Sequence, residues 1–409
     1  MRCAGAPGDA PSAPREVGLF RRAAYQVAMK LRAPTLRLLV AWGGICLGAA
    51  AAQPSDQIRW GTTHWRGDVA LAHRVDGEQV TLTLQPALQR TTKQLLRNAR
   101  PVAGAAALID ASTGAVLALA EIGSSSGGSL LFDPVAPAAS VFKIVTTAAL
   151  YERTTVSPTQ SVCIDGGLRR IERKHLEPAR GKGAVCSPLS QALGHSRNAV
   201  FAQLATQKLM RTDLLEVAEA IGFNQLLPFD TPARLGKLEV PYNDLAFART
   251  AAGFQNSHLS VLGAAQIMYT ITRGGQVRPL HLTAPPEPSE ETPAPVRTAF
   301  SARTAQQLTR MLEVTVRSGT SAEAFQDERG RSYLGSVRVA GKTGTLKPTA
   351  ASPTSSWFVG FAPSRSPEII VSVLLQNPDE WHRKANQVAR DLLRAYFHQK
   401  GAPGVSAPL

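Results

Sequence analysis

Residues 339–345 read Val339-Ala340-Gly341-Lys342-Thr343-Gly344-Thr345. An apolar strand ends in a lysine that has a glycine on either side. The glycines let a substrate backbone come close. Lys342 and the hydroxyls of Thr343 and Thr345 offer charge-assisted hydrogen bonds to a carboxylate. Far upstream, Ser140-Val141-Phe142-Lys143 opens a predicted helix that Pro137 precedes. Positions three apart share a helix face, so the lysine lies within reach of the serine hydroxyl. A lysine kept neutral by burial or by nearby positive charge can take the serine proton. The helix N-terminus favours negative charge developing on that oxygen. Between these two stretches stands Ser196-Arg197-Asn198, bounded by a Gly/His turn and by Ala199-Val200-Phe201. Its hydroxyl can relay a proton, and its amide can both donate to and accept from a peptide bond. Taken singly, Ser-x-x-Lys also describes an ordinary helix start, and Ser-x-Asn an ordinary helix cap.

Together and in this order the three are specific. Ser-x-x-Lys, Ser-Asp-Asn and Lys-Thr-Gly mark penicillin-binding proteins and class A β-lactamases. The chain resembles the transpeptidase domain of penicillin-binding proteins over roughly residues 80–398. Three further stretches carry the resemblance. ALIDASTGAVLALA (107–120) is similar to the family's strand pair before the nucleophile. Arg317-Ser318-Gly319-Thr320-Ser321 is similar to the run before Lys-Thr-Gly, and Trp357-Phe358-Val359-Gly360-Phe361 to the strand after it. The resemblance implies an α/β (α+β) fold, an antiparallel sheet flanked by helices with an all-helical lobe. It also implies a mechanism. Ser140 attacks the penultimate D-alanine carbonyl of a peptidoglycan stem peptide and forms an acyl-enzyme. Lys143 is the general base, Ser196 passes a proton to the leaving amine, and Asn198 holds the substrate amide. Lys342, Thr343, Gly344 and Thr345 bind the substrate, with Lys342 and Thr345 on its terminal carboxylate. The backbone N–H groups of Ser140 and Thr345 form the oxyanion hole. No metal and no organic cofactor is expected.

The implied ligands are stem peptides and β-lactam antibiotics, and cell-wall synthesis proteins are the implied partners. Two features depart from the family pattern. Arg197 is bulky and charged where something small or neutral is common. Only residues 53–79 stand where monofunctional members carry a larger pedestal. A D,D-carboxypeptidase, a class D-type β-lactamase and a non-enzymatic β-lactam or muropeptide receptor share parts of the signature. Slow deacylation separates the transpeptidase from the β-lactamase, and cross-linked product separates it from the receptor.

Strands are predicted at 80–84, 105–109, 115–120, 335–342, 356–361 and 368–375 from apolar runs and alternation. Asp110–Gly114 is turn chemistry that makes 105–120 a hairpin. Helices are predicted from Pro86, from Pro137 through Tyr151, and near 188–209, 213–221, 259–272, 303–318 and 382–398. Residues 124–129 and 282–298 read as loops. Strands at both ends and helices between predict one antiparallel sheet with a helical lobe beside it.

The 409 residues are 44% hydrophobic and 18% charged, which suits a large globular core and excludes a disordered chain. The net charge of +15 is scattered. It fits a solvated basic surface or attraction to a carboxylate-rich polymer, and no run resembles a nucleic-acid arm. From Met29 the chain reads MKLRAPTLRLLVAWGGICLGAAAAQ, a basic segment, a short apolar run and small residues before Gln53. That is the pattern of a secretory signal or anchor, with Met29 as a candidate start. The expected division is 1–52 signal or anchor, 53–100 segment and linker, 101–400 transpeptidase domain and 401–409 tail. The expected location is the periplasm or the outer face of the cytoplasmic membrane. Beyond the signal only Cys163 and Cys186 remain. In an oxidising compartment they are expected to pair, the alternative being two buried thiols.

Overall fold

The computed structural model describes residues 57–283 and 296–407, apart from 124 and 126. The proposed signal at 1–52 lies outside the described residues, as do 124, 126 and 284–295 of the two predicted loops. Strands β1 (Ile58–Arg66), β2 (Val69–Arg74) and β3 (Gln79–Thr81) form a small antiparallel sheet. Helix α1 (Pro86–Ala99) starts on proline, whose fixed φ suits the first helical turn. Its buried stripe is Leu88, Leu95, Leu96 and Ala99. Strands β4 (Ala103–Asp110) and β5 (Val116–Gly123) form the predicted hairpin. The helical lobe follows. It runs through β6 (Ala136–Pro137), a 3-10 turn (Ala139–Phe142), α2 (Lys143–Arg153), β7 (Ser161–Ile164) and β8 (Val185–Pro188). It continues with α3 (Leu189–Ala192), α4 (Asn198–Lys208), α5 (Arg211–Ile221), β9 (Gly236–Leu238) and α6 (Asp244–Ala251). Then come β10 (Ser257–Leu259), α7 (Val261–Thr272), β11 (Gln276–Val277), β12 (Arg297–Thr298), α8 (Ala302–Arg317) and α9 (Ala322–Phe325). The chain closes with β13 (Ala340–Leu346), β14 (Thr354–Ala362), β15 (Ile369–Asn377) and α10 (Ala385–Gln399).

The main sheet has the order β13-β14-β15-β4-β5 and is antiparallel throughout. First and last strands therefore meet, β15 beside β4. Successive side chains on a strand face opposite ways. Ala105, Ala107 and Ile109 enter the core shared with the helical lobe, whereas Ala106 and Leu108 enter the core under α1 and α10. Both faces are covered, so these strands read as continuous apolar runs. Strand β13 is an edge of this sheet.

Several boundaries differ from expectation. The helix predicted at 188–209 is two helices, broken where Ser196 adopts a φ of 54°. The strand predicted at 335–342 begins at Ala340, after a turn in which Gly335 has a φ of 58°. Lys342 is thus inside the strand and not at its end. Residues 58–74 form a hairpin whose register shifts between Arg59 and His64, which hides the alternation. Helix α6 was not anticipated. Among the described residues no helix is long and apolar enough to cross a membrane.

Candidate active site

The turn that carries Ser140 is held by backbone packing. Ala139, next to Ser140, has a φ of 48°, a conformation L-residues rarely adopt. Gly253 presses on it so closely that a Cβ there would lie 2.0 Å from the Ala139 carbonyl oxygen. On the other side Gly344 fits against Ala139, Val141 and Trp357, where a Cβ would meet all three at 3.2–3.3 Å. The Trp357 indole N–H donates to the Pro137 carbonyl at 2.9 Å, tying β14 to the segment before Ser140.

A cavity of about 600 Å³ opens here, bordered by Ser140, Ser196, Asn198, Thr343 and Thr345. Ser140 Oγ is 2.6 Å from Lys143 Nζ. The same Nζ lies 3.3 Å from Ser196 Oγ and 2.5 Å from Asn198 Oδ1. Lys342 Nζ donates to Ser196 Oγ at 3.1 Å and to the Thr343 carbonyl at 2.7 Å. Ser196 therefore stands between two lysines, and both are fully buried. Burial, and then the positive charge of Lys342, hold the Lys143 ammonium well below its ordinary range. Burial lowers Lys342 to about 7. A neutral Lys143 presents a lone pair to the Ser140 hydroxyl, which is what a general base must do.

The structure brings Ser140, Lys143, Ser196, Asn198, Lys342, Thr343, Gly344 and Thr345 into one neighbourhood, but they differ in exposure. Thr343 and Thr345 border the cavity. Lys342 lies behind Ser196 and Gly344 lies against the turn that carries Ser140, so neither borders the cavity among the described residues. Arg197, the bulky departure from the family pattern between Ser196 and Asn198, does not border it either. Cys163 and Cys186 face each other across β7 and β8 and form a disulfide.

Sequence reasoning missed the far wall, where Glu323, Trp381, Lys384, Asn386 and Gln387 line the same cavity. Their signal was weak, because they come from the short helix α9, a loop and the first turn of α10, none of which carries a motif. The start of α10 is fixed from behind. Asp391, wholly buried, accepts hydrogen bonds from Arg383 and Arg390. Thr320, inside a quoted run but given no role, shares a 2.5 Å hydrogen bond with Thr343 Oγ1. Among the described residues no group of three or more His, Cys, Asp or Glu is placed to hold a metal ion.

A family model described as the penicillin binding protein transpeptidase domain matches residues 104–394. The chain belongs to that family. Peptidoglycan D,D-transpeptidase PbpA of Mycobacterium tuberculosis is 26% identical over 350 residues, 74% of this chain and 68% of that protein. Stage V sporulation protein D of Bacillus subtilis is 24% identical over 253 residues, 58% of this chain and 38% of that protein. The D,D-transpeptidase domain of a peptidoglycan glycosyltransferase from Eggerthella lenta superposes with a TM-score of 0.63 at 24% identity, covering 79% of this chain and 83% of that one. Penicillin-binding protein A from M. tuberculosis superposes at 0.61 and 22% identity, covering 79% and 81%. The transpeptidase fold, a mixed α/β architecture around an antiparallel sheet, is thus that of this penicillin-binding protein domain.

Proposed function

We infer that this chain is a peptidoglycan D,D-transpeptidase that works through a serine acyl-enzyme and is acylated by β-lactams. The observation that carries the reading is the 2.6 Å approach of Ser140 Oγ to an amine whose pKa is lowered by burial and by the charge of Lys342. In this reading the stem peptide lies along the free edge of β13. Thr343 and Thr345 hold its terminal carboxylate, and Lys342 supplies positive charge from behind through Ser196. Ser140 Oγ attacks the penultimate D-alanine carbonyl while its proton passes to Lys143 Nζ. The negative oxygen rests on the backbone N–H groups of Ser140 and Thr345. The C–N bond then breaks, and Ser196 delivers its proton to the departing D-alanine amine while taking in its place the one held by Lys143. An amine of a second stem peptide attacks the ester, forms the cross-link and restores Ser140. Asn198, bonded to Lys143 through Oδ1, orients that lysine and the substrate amide.

Such chemistry takes place outside the cytoplasm. Export through residues 29–52 into the periplasm and contacts with other cell-wall synthesis proteins belong to the same reading. The test supplies purified stem pentapeptides with and without an acceptor amine. Release of D-alanine together with a cross-linked dimer is expected. D-alanine release with hydrolysed donor alone makes the chain a carboxypeptidase, and acylation by a β-lactam with no turnover of the stem pentapeptide makes it a receptor.

A further inference from the structure

We propose that residues 165–184, the arm closed by the Cys163–Cys186 disulfide, form a docking surface for the carboxylates of the peptidoglycan polymer. The proposal rests on the transpeptidase reading and adds to it a contact outside the reacting centre. The arm is joined to the cleft. Leu168 lines the same cavity as Ser140, and its carbonyl accepts a hydrogen bond from Asn198 Nδ2. Two more bonds pin the arm to the helical lobe. Arg249 Nε donates to the Ile171 carbonyl at 3.0 Å, and Gln207 Nε2 donates to the Leu176 carbonyl at 2.9 Å. The backbone is therefore held in place, and the side chains beyond Leu168 begin where the cleft ends.

Those side chains are strongly basic. Arg169, Arg170, Arg173, Lys174, Arg180 and Lys182 are all exposed. Three acidic residues, Asp165, Glu172 and Glu177, stand in the same arm. Glu172 pairs loosely with Arg170 at 3.8 Å and Lys174 at 3.7 Å. Among the described residues Arg169, Arg173, Arg180 and Lys182 make no ion pair with an acidic side chain. Crowded like charges raise the local positive potential, which attracts an anionic ligand from outside the chain. Exposed charges act over about 8 Å at physiological salt, which favours a ligand with closely repeated anionic groups. A polymer whose stem peptides carry free carboxylates is such a ligand, and it must already lie in the adjacent cleft to react.

The experiment compares the full chain with a variant carrying Arg169→Gln, Arg173→Gln, Arg180→Gln and Lys182→Gln. Penicillin acylation should stay within about twofold, because none of the four touches the reacting groups. Binding to isolated peptidoglycan sacculi at low salt should weaken about tenfold, and its dependence on salt should flatten. Sacculi whose carboxylates have been amidated should bind the unaltered chain as weakly as they bind the variant. Equal binding of chain and variant to untreated sacculi overturns the proposal. So does a loss seen only with vesicles of anionic phospholipid, which would make the arm a membrane contact. Failure of the unaltered chain to be acylated at all instead strikes the transpeptidase reading.

Discussion

Replacing Lys143 with arginine slows acylation of Ser140 by penicillin about a thousandfold, the size of a lost general base. Arginine keeps the positive charge but cannot shed its proton near neutral pH. Charge alone therefore does not rescue the step. Lys143→Met removes the base while keeping most of the buried volume, and the same loss is expected. Stopped-flow or gel-based acylation rates, with a thermal melt to show that each variant folds, make the comparison. A variant that keeps a tenth of the rate shows that another group takes the proton.

Lys342→Met has two effects of opposite sign. A lysine that titrates at about 7 when folded and at 10.5 when unfolded lowers stability. Between those values the unfolded chain holds the extra proton, so stability rises with pH from 7 to 10.5 and the full penalty stands below 7. At pH 7 that penalty is roughly 4 kcal/mol, offset in part by the hydrogen bonds to Ser196 and Thr343 that the methionine forfeits. The variant should therefore melt several degrees higher at pH 7, with the gain shrinking toward pH 10. Its acylation should fall about a hundredfold, the scale of about 3 kcal/mol of charge-assisted bonding. The acid limb of the pH–rate profile should also move up, because the Lys342 charge that helps to hold Lys143 low is gone. An unchanged acid limb would show that the two lysines are not coupled through this site.

The cluster of candidate residues was legible in the sequence because acyl transfer demands particular residue types at short spacing. Ser140 and Lys143 sit one turn apart, and Ser196 and Asn198 bracket a single residue. What the motifs do not carry is depth. Lys342 stands in the same short run as Thr343 and Thr345, and nothing in that run says that it faces Ser196 while the threonines face the cleft. The strand pairing of 105–120 and 356–375 was legible because long apolar runs bounded by turn residues have few other solutions. The 58–74 hairpin was not, since a register shift destroys the period of two. Nor was the break at Ser196, where a left-handed residue interrupts an otherwise helical pattern. The wall formed by Trp381 and Lys384 depends on how α10 docks, held by Asp391 and Arg383, and distant packing of that kind leaves no local signature.

The proposed reaction stands on Ser140 Oγ as the nucleophile that receives the acyl group. The most direct measurement is intact mass of the full chain after brief exposure to a penicillin, followed by peptide mapping of the adduct. One equivalent of penicilloyl mass on the peptide containing Ser140, absent in Ser140→Ala, is the predicted result. An adduct on any other residue, or equal labelling of Ser140→Ala, would contradict the account.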